Sequence, residues 1–280
     1  MQTIAICGVG LIGGSFGLAL REAGFQGRII GVSSPATIQR AKECGAIDEG
    51  LDLESAVPQA DLVYLAQPVC VIRDFFPRLA PLVKPGALVT DAGSTKQAIV
   101  EAARRSLPPE TFLGGHPMAG KAERGVAAAE AGLFRDRPYL LTPSHASDLA
   151  SPMAGELQQW IAKIGARLLV LTPEAHDRVV AAASHVPQLL STALGALLEA
   201  HPESALVRRV AGPGLLDMTR LAGSDFALWR EILDTNDAAI GAGLDDLIQA
   251  LQKMRISLKG DGVEEEFTRG NAFSRALRGG

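Results

Sequence analysis

A glycine-rich segment near the amino terminus has the spacing of a phosphate-binding turn. Glycines at positions 8, 10 and 13 form the pattern GxGxxG, which follows a strand-like segment and opens a helix-like one. Such glycines let the backbone approach a pyrophosphate, whose charge meets N–H groups at the positive end of the helix. The segment predicts a dinucleotide site formed by Gly8, Gly10, Leu11, Ile12 and Gly13. A turn that serves only helix–strand packing is the alternative.

The cofactor type depends on a position about twenty residues beyond Gly13, where an acidic side chain binds the ribose 2′-hydroxyl in NAD sites. Ser33 and Ser34 occupy this position. Together with Thr37 they can hydrogen-bond to a 2′-phosphate, and Arg40 lies one helical turn further on as a possible cation. We therefore expect NADP to be accepted and favoured. NAD remains the alternative, with the serine pair simply beginning the next helix.

Two polar residues follow strand-like segments further along the chain. Ser94 lies in the segment DAGSTK, and His116 lies in the segment GGHPMAG. A doubly wound sheet binds its ligands at the carboxyl ends of its strands. Pro117 favours an extended backbone at His116, and a histidine with a pKa of about 6.5 can act as a general base. These residues predict a catalytic centre, with a hydrogen-bonded histidine at a sheet edge as the alternative for His116.

The elements that must position these residues alternate through the first part of the chain. Short segments rich in Val, Ile and Leu predict strands at 3–7, 28–32, 62–65, 87–90, 111–114, 139–141 and 167–171. Helical patterns lie between them at 11–23, 36–44, 70–82, 95–105 and 148–164. This alternation predicts an α/β, Rossmann-like, doubly wound and mainly parallel sheet. From residue 172 only helical patterns remain, so we expect a dinucleotide-binding domain at 1–171 and an all-helical domain at 172–280.

The composition of the chain argues against two classes of function, nucleic-acid binding and metal binding. The chain has 280 residues and a net charge of −4, which argues against a nucleic-acid partner. Its histidines and cysteines do not have metal-ligand spacing, so we expect no metal.

Three cysteines outside any paired motif, and an amino terminus without an export signal, favour the cytoplasm. Residues 179–198 are uncharged, but their polar and alanine content favours a buried helix at a subunit interface over a membrane span.

Four motifs in order resemble one enzyme family. They are GVGLIGGSFG at 8–17, GGHPMAG at 114–120, SHVPQLL at 184–190 and DMTRLAGSD at 217–225. Together they resemble the prephenate and arogenate dehydrogenases of tyrosine biosynthesis, over about residues 3–258. The resemblance implies a dinucleotide domain followed by a helical dimerisation domain, and hence a homodimer. It also implies oxidative decarboxylation of a cyclohexadienol, prephenate or arogenate, with hydride transfer to NAD or NADP.

The resemblance also implies residue roles. His116 matches the catalytic histidine that takes the substrate's hydroxyl proton, and Ser94 matches a serine that contacts this histidine and the nicotinamide end of the site. His185 and Arg220 match substrate-binding residues of the helical domain, with Arg220 binding a carboxylate. His185 could instead be a core histidine, and Arg220 a surface arginine that pairs with Asp217.

One departure from the family pattern follows the HPMAG motif. Some members have Thr-Glu there, and the Glu contributes to an ion network over the site; this chain has Lys121 and Ala122. Lys121 could bind a substrate carboxylate, with a solvated lysine as the alternative. His176 is expected only to cap a helix end or to face solvent.

Two other functions remain open at this level. One is another two-domain NAD(P)-dependent oxidoreductase that acts on hydroxy acids or imines. The other is a dinucleotide-sensing protein without catalysis, which would require His116 and Ser94 to be incidental. Failure to turn over either cyclohexadienol would favour the first alternative.

Overall fold

A computed structural model describes residues 1–121, 123–259 and 262–279. The chain forms two compact units. The first consists of Met1–Val180 with Gly223–Asn236, and the second of Ala181–Ala222 with Asp237–Gly280. The first unit therefore includes residues 172–180 and a later helical segment in addition to the predicted dinucleotide domain.

The first unit is built on an eight-stranded sheet with the strand order β3-β2-β1-β4-β5-β6-β7-β8. All neighbouring strands are parallel except β6 and β7, which are antiparallel. This confirms the predicted doubly wound, mainly parallel sheet. The strands are β1 (Thr3–Cys7), β2 (Arg28–Val32), β3 (Glu49–Gly50), β4 (Leu62–Leu65), β5 (Leu88–Asp91), β6 (Phe112–Pro117), β7 (Pro138–Thr142) and β8 (Arg167–Val170).

Antiparallel pairing of β6 with β7 places His116 differently from the sequence-based expectation. The sequence places His116 just after a strand that ends at residue 114, but β6 continues to Pro117. It continues because Gly114, Gly115, His116 and Pro117 pair with successive residues of β7. His116 therefore lies on the strand itself, opposite Leu140. Strand β3 was not predicted, since two residues give no periodic pattern.

Helices follow most strands. They are α1 (Leu11–Glu22), α2 (Pro35–Glu43), α3 (Leu53–Ala56), α4 (Val69–Leu79), α5 (Gln97–Ser106), α6 (Pro152–Lys163), α7 (Pro173–Val180), α8 (Val186–Glu199), α9 (Ser204–Val210), α10 (Pro213–Thr219), α11 (Phe226–Thr235), α12 (Asp237–Ile256) and α13 (Gly262–Gly279). Alternate residues of β1 enter two separate apolar clusters, Ile4 and Ile6 in one, Ala5 and Cys7 in the other. The sheet is therefore covered on both faces, as the apolar strand sequences predict.

The second unit is helical among its described residues, which confirms the predicted end of the strands. A π-helical turn, Ala181–His185, precedes α8. By length and composition alone, the helical stretch Pro173–Glu199 could cross a membrane; a third of its most apolar window is buried. Large apolar side chains of this unit are exposed, among them Leu197, Leu206, Val210, Leu216, Ile256, Phe267, Phe273 and Leu277.

Candidate active site

The glycine turn after β1 leaves the start of α1 open. Gly8 has a φ of +92°, and a Cβ there would lie 2.7 Å from the Ala66 carbonyl oxygen. A Cβ on Gly13 would lie 2.2 Å from the Gly8 carbonyl oxygen, whereas a Cβ on Gly10 would meet nothing within 4 Å. Among the described residues, no side chain caps α1 and its first turn has no acid. Its first N–H groups are thus available to an anion.

Gln67 adds a polar atom beside this turn. It follows β4, and its Cγ lies 2.8 Å from where a Cβ of Gly8 would stand. Its Oε1 is buried without a hydrogen-bond partner among the described residues. A buried acceptor of this kind fits a hydroxyl donor of a bound dinucleotide. Sequence analysis missed Gln67; the signal was a polar residue after the strand adjacent to β1.

The predicted 2′-phosphate residues lie at the start of α2. The Ser34 hydroxyl caps this helix by accepting from the Thr37 N–H at 3.4 Å, and it also donates to the Thr37 hydroxyl at 2.9 Å. Ser33 is exposed and lines a cavity of about 640 Å³ together with Lys42 and Asp52. Arg40 is exposed. In the described part of the chain, the cation that lines this cavity is Lys42 rather than Arg40.

His116 is buried and contacts a second histidine. Its Nδ1 lies 2.8 Å from Nε2 of His176, whose Nδ1 lies 2.7 Å from Asp177 Oδ1. His176 and Asp177 are 0% exposed. The expectation that His176 caps a helix end or faces solvent is therefore wrong. The physical reason is helical spacing: Pro173, His176, Asp177 and Val180 share the buried face of α7.

Asp177 connects this pair to α5. Its carboxylate accepts from the backbone N–H of Lys96 at 2.7 Å and of Gln97 at 3.0 Å, where α5 begins. Burial acts to raise the pKa of Asp177, but the hydrogen bonds from His176, Gln97 and Lys96 lower it overall. Asp177 is thus an ionised acceptor that also satisfies the first N–H groups of α5.

A buried ion pair holds the strand that carries His116. Lys96 and Asp91 are both 0% exposed and form a salt bridge. The Asp91 carboxylate accepts from the N–H of Gly115 at 3.0 Å and of Gly93 at 2.8 Å, while Lys96 donates to the Gly115 carbonyl at 2.8 Å. Burial lowers the pKa of Lys96, and Asp91 opposes this shift. Sequence analysis missed both residues, although they flank Ser94 in DAGSTK.

Two other predicted site residues of the first unit, Ser94 and Lys121, have no established contact with His116. Ser94 is half-buried in the loop between β5 and α5, at the same edge of the sheet as His116, and its contact with His116 stays a prediction. Lys121 forms an ion pair of 2.6 Å with Glu130. Ala122 lies outside the described residues. Among those described, no three or more His, Cys, Asp or Glu side chains are grouped to hold a metal ion.

The second unit contains the other predicted substrate residues. His185 is buried at the end of the π-helical turn, and Arg220 is exposed directly after α10. The Gln188 side-chain amide donates to the Leu221 carbonyl at 2.7 Å, which fixes the backbone beside Arg220. No ion pair within 4.0 Å joins Asp217 to Arg220, both of which the structure describes.

Comparison with known proteins identifies related families. Two family models match: the prephenate dehydrogenase nucleotide-binding domain at residues 16–170 and the prephenate dehydrogenase dimerization domain at residues 172–271. A prephenate dehydrogenase of Bacillus subtilis is 36% identical over 272 residues, which cover 95% of this chain and 72% of the relative.

Two solved structures are similar over nearly their whole length. Prephenate dehydrogenase from A. aeolicus, in complex with hydroxyphenyl propionate and NAD+, has a TM-score of 0.87 and 31% identity, and the match covers 99% of this chain and 97% of that one. Arogenate dehydrogenase from Synechocystis has a TM-score of 0.82 and 30% identity, with 99% and 98% covered. The chain therefore belongs to the prephenate dehydrogenase family, and it is an NAD(P)-dependent dehydrogenase.

Proposed function

We propose that this chain oxidatively decarboxylates prephenate, arogenate or both, with His116 as the base. The observation that carries the proposal is the buried His116, held by His176 at the sheet edge where the glycine turn also lies. The products would be 4-hydroxyphenylpyruvate from prephenate and tyrosine from arogenate, each with carbon dioxide and reduced cofactor.

The protein's part in this reaction is to move one proton and to hold the ring. Nδ1 of His116 is engaged with His176, so Nε2 takes the proton as the substrate's O–H bond breaks. Bound nicotinamide would accept the hydride from the carbon that carries this oxygen. The bond to the ring carboxylate then breaks, and its electron pair enters the ring, which becomes aromatic. The proton on His116 returns to the phenolate oxygen, so the base is regenerated.

The first unit would hold the cofactor. The open N-terminus of α1 and the space at Gly10 suit a pyrophosphate, and Gln67 Oε1 suits a ribose hydroxyl. Exposed Ser33, with no acidic residue in its place, supports NADP as the favoured cofactor, and Lys42 supplies a nearby cation. The Thr37 hydroxyl, which accepts from Ser34, would donate to the 2′-phosphate, and Ser34 would do so only after releasing Thr37. Arg40 would contribute charge from further along α2.

The substrate's carboxylates require cations. Exposed Arg220 is the residue that would bind one of them, because a guanidinium forms bidentate hydrogen bonds with a carboxylate. His185, in the same unit, would also bind the substrate. Ser94 would contact His116 and the nicotinamide end of the site. Lys121 is available to a second carboxylate only if its ion pair with Glu130 opens.

The chain would act as a homodimer in the cytoplasm. The exposed apolar side chains of the second unit support dimerisation, because covering them removes apolar surface from water. All three cysteines are free, which supports a reducing compartment. Light scattering of the purified protein tests the dimer directly, and a monomer mass would contradict it.

Four initial rates test the proposed function: reduced-cofactor formation with prephenate and with arogenate, each with NAD and with NADP. We expect turnover of at least one substrate and a higher kcat/KM with NADP. A clear preference for NAD would refute the cofactor proposal alone. Absence of turnover with both substrates would refute the proposed function and favour another hydroxy-acid or imine oxidoreductase.

A further inference from the structure

Three polar side chains form a continuous hydrogen-bonded row: His116 on β6, then His176 and Asp177 on α7. Nδ1 of His116 and Nε2 of His176 are 2.8 Å apart, and Nδ1 of His176 is 2.7 Å from Asp177 Oδ1. His176 and Asp177 are completely buried. Water therefore cannot exchange with their hydrogen bonds, and the direction of donation along the row depends on the protein.

Asp177 sets this direction because it can only accept. Its carboxylate receives the N–H groups of Lys96 and Gln97 as well as His176. These donors keep its pKa below the ordinary value even though burial acts to raise it. An ionised carboxylate has no hydrogen to donate. Nδ1 of His176 therefore carries the hydrogen of this bond.

The charges around His176 keep its ring neutral. Asp177 faces it from its own helix, Lys96 from the start of α5, and Asp91 from the end of β5. Burial lowers the pKa of His176 and Lys96 acts in the same direction, whereas Asp177 and Asp91 oppose them. A neutral imidazole with its hydrogen on Nδ1 has a lone pair on Nε2. Nε2 of His176 thus accepts from Nδ1–H of His116.

We propose that His176 and Asp177 are positioning residues that hold His116 in the tautomer with its hydrogen on Nδ1 and its lone pair on Nε2. The inference rests on the proposed function, in which Nε2 takes the substrate's proton. During that step the O–H bond breaks and an N–H bond forms at Nε2. Nδ1 still donates to His176, so the row keeps its direction. The charge that develops on His116 lies one imidazole away from the Asp177 carboxylate, which stabilises it.

Two substitutions of His176 separate positioning from packing. His176→Leu removes the acceptor for His116, so we expect kcat to fall about 100-fold or more, within the range of general-base effects. Cofactor Kd should change less than about threefold, because the glycine turn is untouched. His176→Gln can present an amide oxygen to His116 in place of Nε2, and we expect it to recover kcat to within about tenfold of the parent protein. His201→Gln, at an exposed histidine of the second unit, is the matched control and should leave kcat unchanged.

A spectroscopic measurement tests the tautomer without turnover. Long-range proton–nitrogen correlation spectra of histidine-labelled protein should show His116 with a protonated Nδ1 and an unprotonated Nε2 at neutral pH, and His176→Leu should change this pattern. An unprotonated Nδ1 on His116 in the parent protein would overturn the inference. A His176→Leu variant that keeps the kcat of the parent protein would also overturn it. A His176→Gln variant whose kcat falls as far as that of His176→Leu would do the same. Failure of the proposed function gives a different result: the parent protein turns over neither substrate, while the spectra still report the tautomer.

Discussion

The two ends of the sheet carry similar carboxylate clusters with different surroundings. At the amino end, Asp61 accepts from the N–H groups of Gln2 and Thr3 at 2.5 and 3.0 Å and pairs with Lys84 at 2.6 Å. At the carboxyl end, Asp91 accepts from Gly93 and Gly115 and pairs with Lys96. In both clusters, a carboxylate and a lysine join neighbouring segments of the sheet.

Burial distinguishes the two clusters. The side chains of Lys84 and Asp61 are 36% and 23% exposed, whereas those of Lys96 and Asp91 are 0% exposed. A buried ion pair has a large desolvation cost and is weak evidence for added stability. Its presence beside His116, and not at the amino end, indicates that it fixes the geometry of the site. The amino-end cluster joins the starts of β1 and β4 to the segment before β5.

The largest effect on kcat is expected from His116, which lies at the carboxyl end of the sheet and has no counterpart at the amino end. His116→Asn removes the proton acceptor, so we expect kcat to fall about 10²- to 10⁴-fold. Cofactor Kd, measured by fluorescence titration, should stay within about threefold because Asn leaves the glycine turn intact. Activity close to that of the parent protein would show that His116 is not the base.

Matched substitutions of the two lysines compare the clusters directly. Lys96→Met leaves the Asp91 carboxylate buried without its cation, so the free energy of unfolding should fall by about 3–5 kcal/mol. Lys84→Met should cost about 1 kcal/mol or less, because its pair is partly exposed and Asp61 keeps two backbone donors. Urea denaturation measures both values. Equal losses would contradict the distinction between the two ends.

The amino-end cluster should act on acid stability and leave catalysis unchanged. Burial acts to raise the pKa of Asp61, but hydrogen bonds from Lys84, Gln2 and Thr3 lower it from 3.8 to about 2. A lowered folded-state pKa gives stability that is present above pH 3.8 and lost as pH falls through about 2. Because this ion pair is partly exposed and screened by solvent, we expect a contribution of about 1 kcal/mol.

Asp61→Asn should remove this contribution. Its unfolding free energy should therefore change less than that of the parent protein between pH 4 and pH 2, with kcat at neutral pH unaltered. Denaturation curves at several pH values provide the check. Identical pH dependence in the two proteins would rule out this role of Asp61.

A smaller effect is expected at the cofactor edge of the carboxyl end. Ser33→Asp would accept from a ribose 2′-hydroxyl and repel a 2′-phosphate. The ratio of kcat/KM for NADP to that for NAD should fall about tenfold, which corresponds to about 1.4 kcal/mol. Ser147→Asp, at an exposed position away from this edge, is the control and should leave the ratio unchanged. An unchanged ratio in Ser33→Asp would place the 2′ position elsewhere.

Local patterns in the sequence were sufficient for the main elements of the first unit. Strand β1 has the predicted bounds 3–7, and α1 begins at the predicted Leu11, because apolar runs and glycine turns are local signals. The antiparallel pairing of β6 with β7 depends on contacts between distant segments, and local periodicity did not reveal it. This pairing is what places His116 on a strand.

The buried partners of the site were harder to predict for a similar reason. Asp91, Lys96 and Asp177 are charged residues, and charged side chains are normally expected to be exposed to solvent. Only the fold shows that each finds partners across elements, as when Asp177 accepts from the start of α5. For His176, the helical spacing of 173, 176, 177 and 180 was a readable signal.

Measuring carbon dioxide and reduced cofactor in the same reaction tests whether the chain carries out oxidative decarboxylation with His116 as the base. With the better of the two substrates, we expect one carbon dioxide to be released for each nicotinamide reduced, and both to be lost in His116→Asn. Reduced cofactor without carbon dioxide, or equal yields of both from the variant and the parent protein, would contradict it.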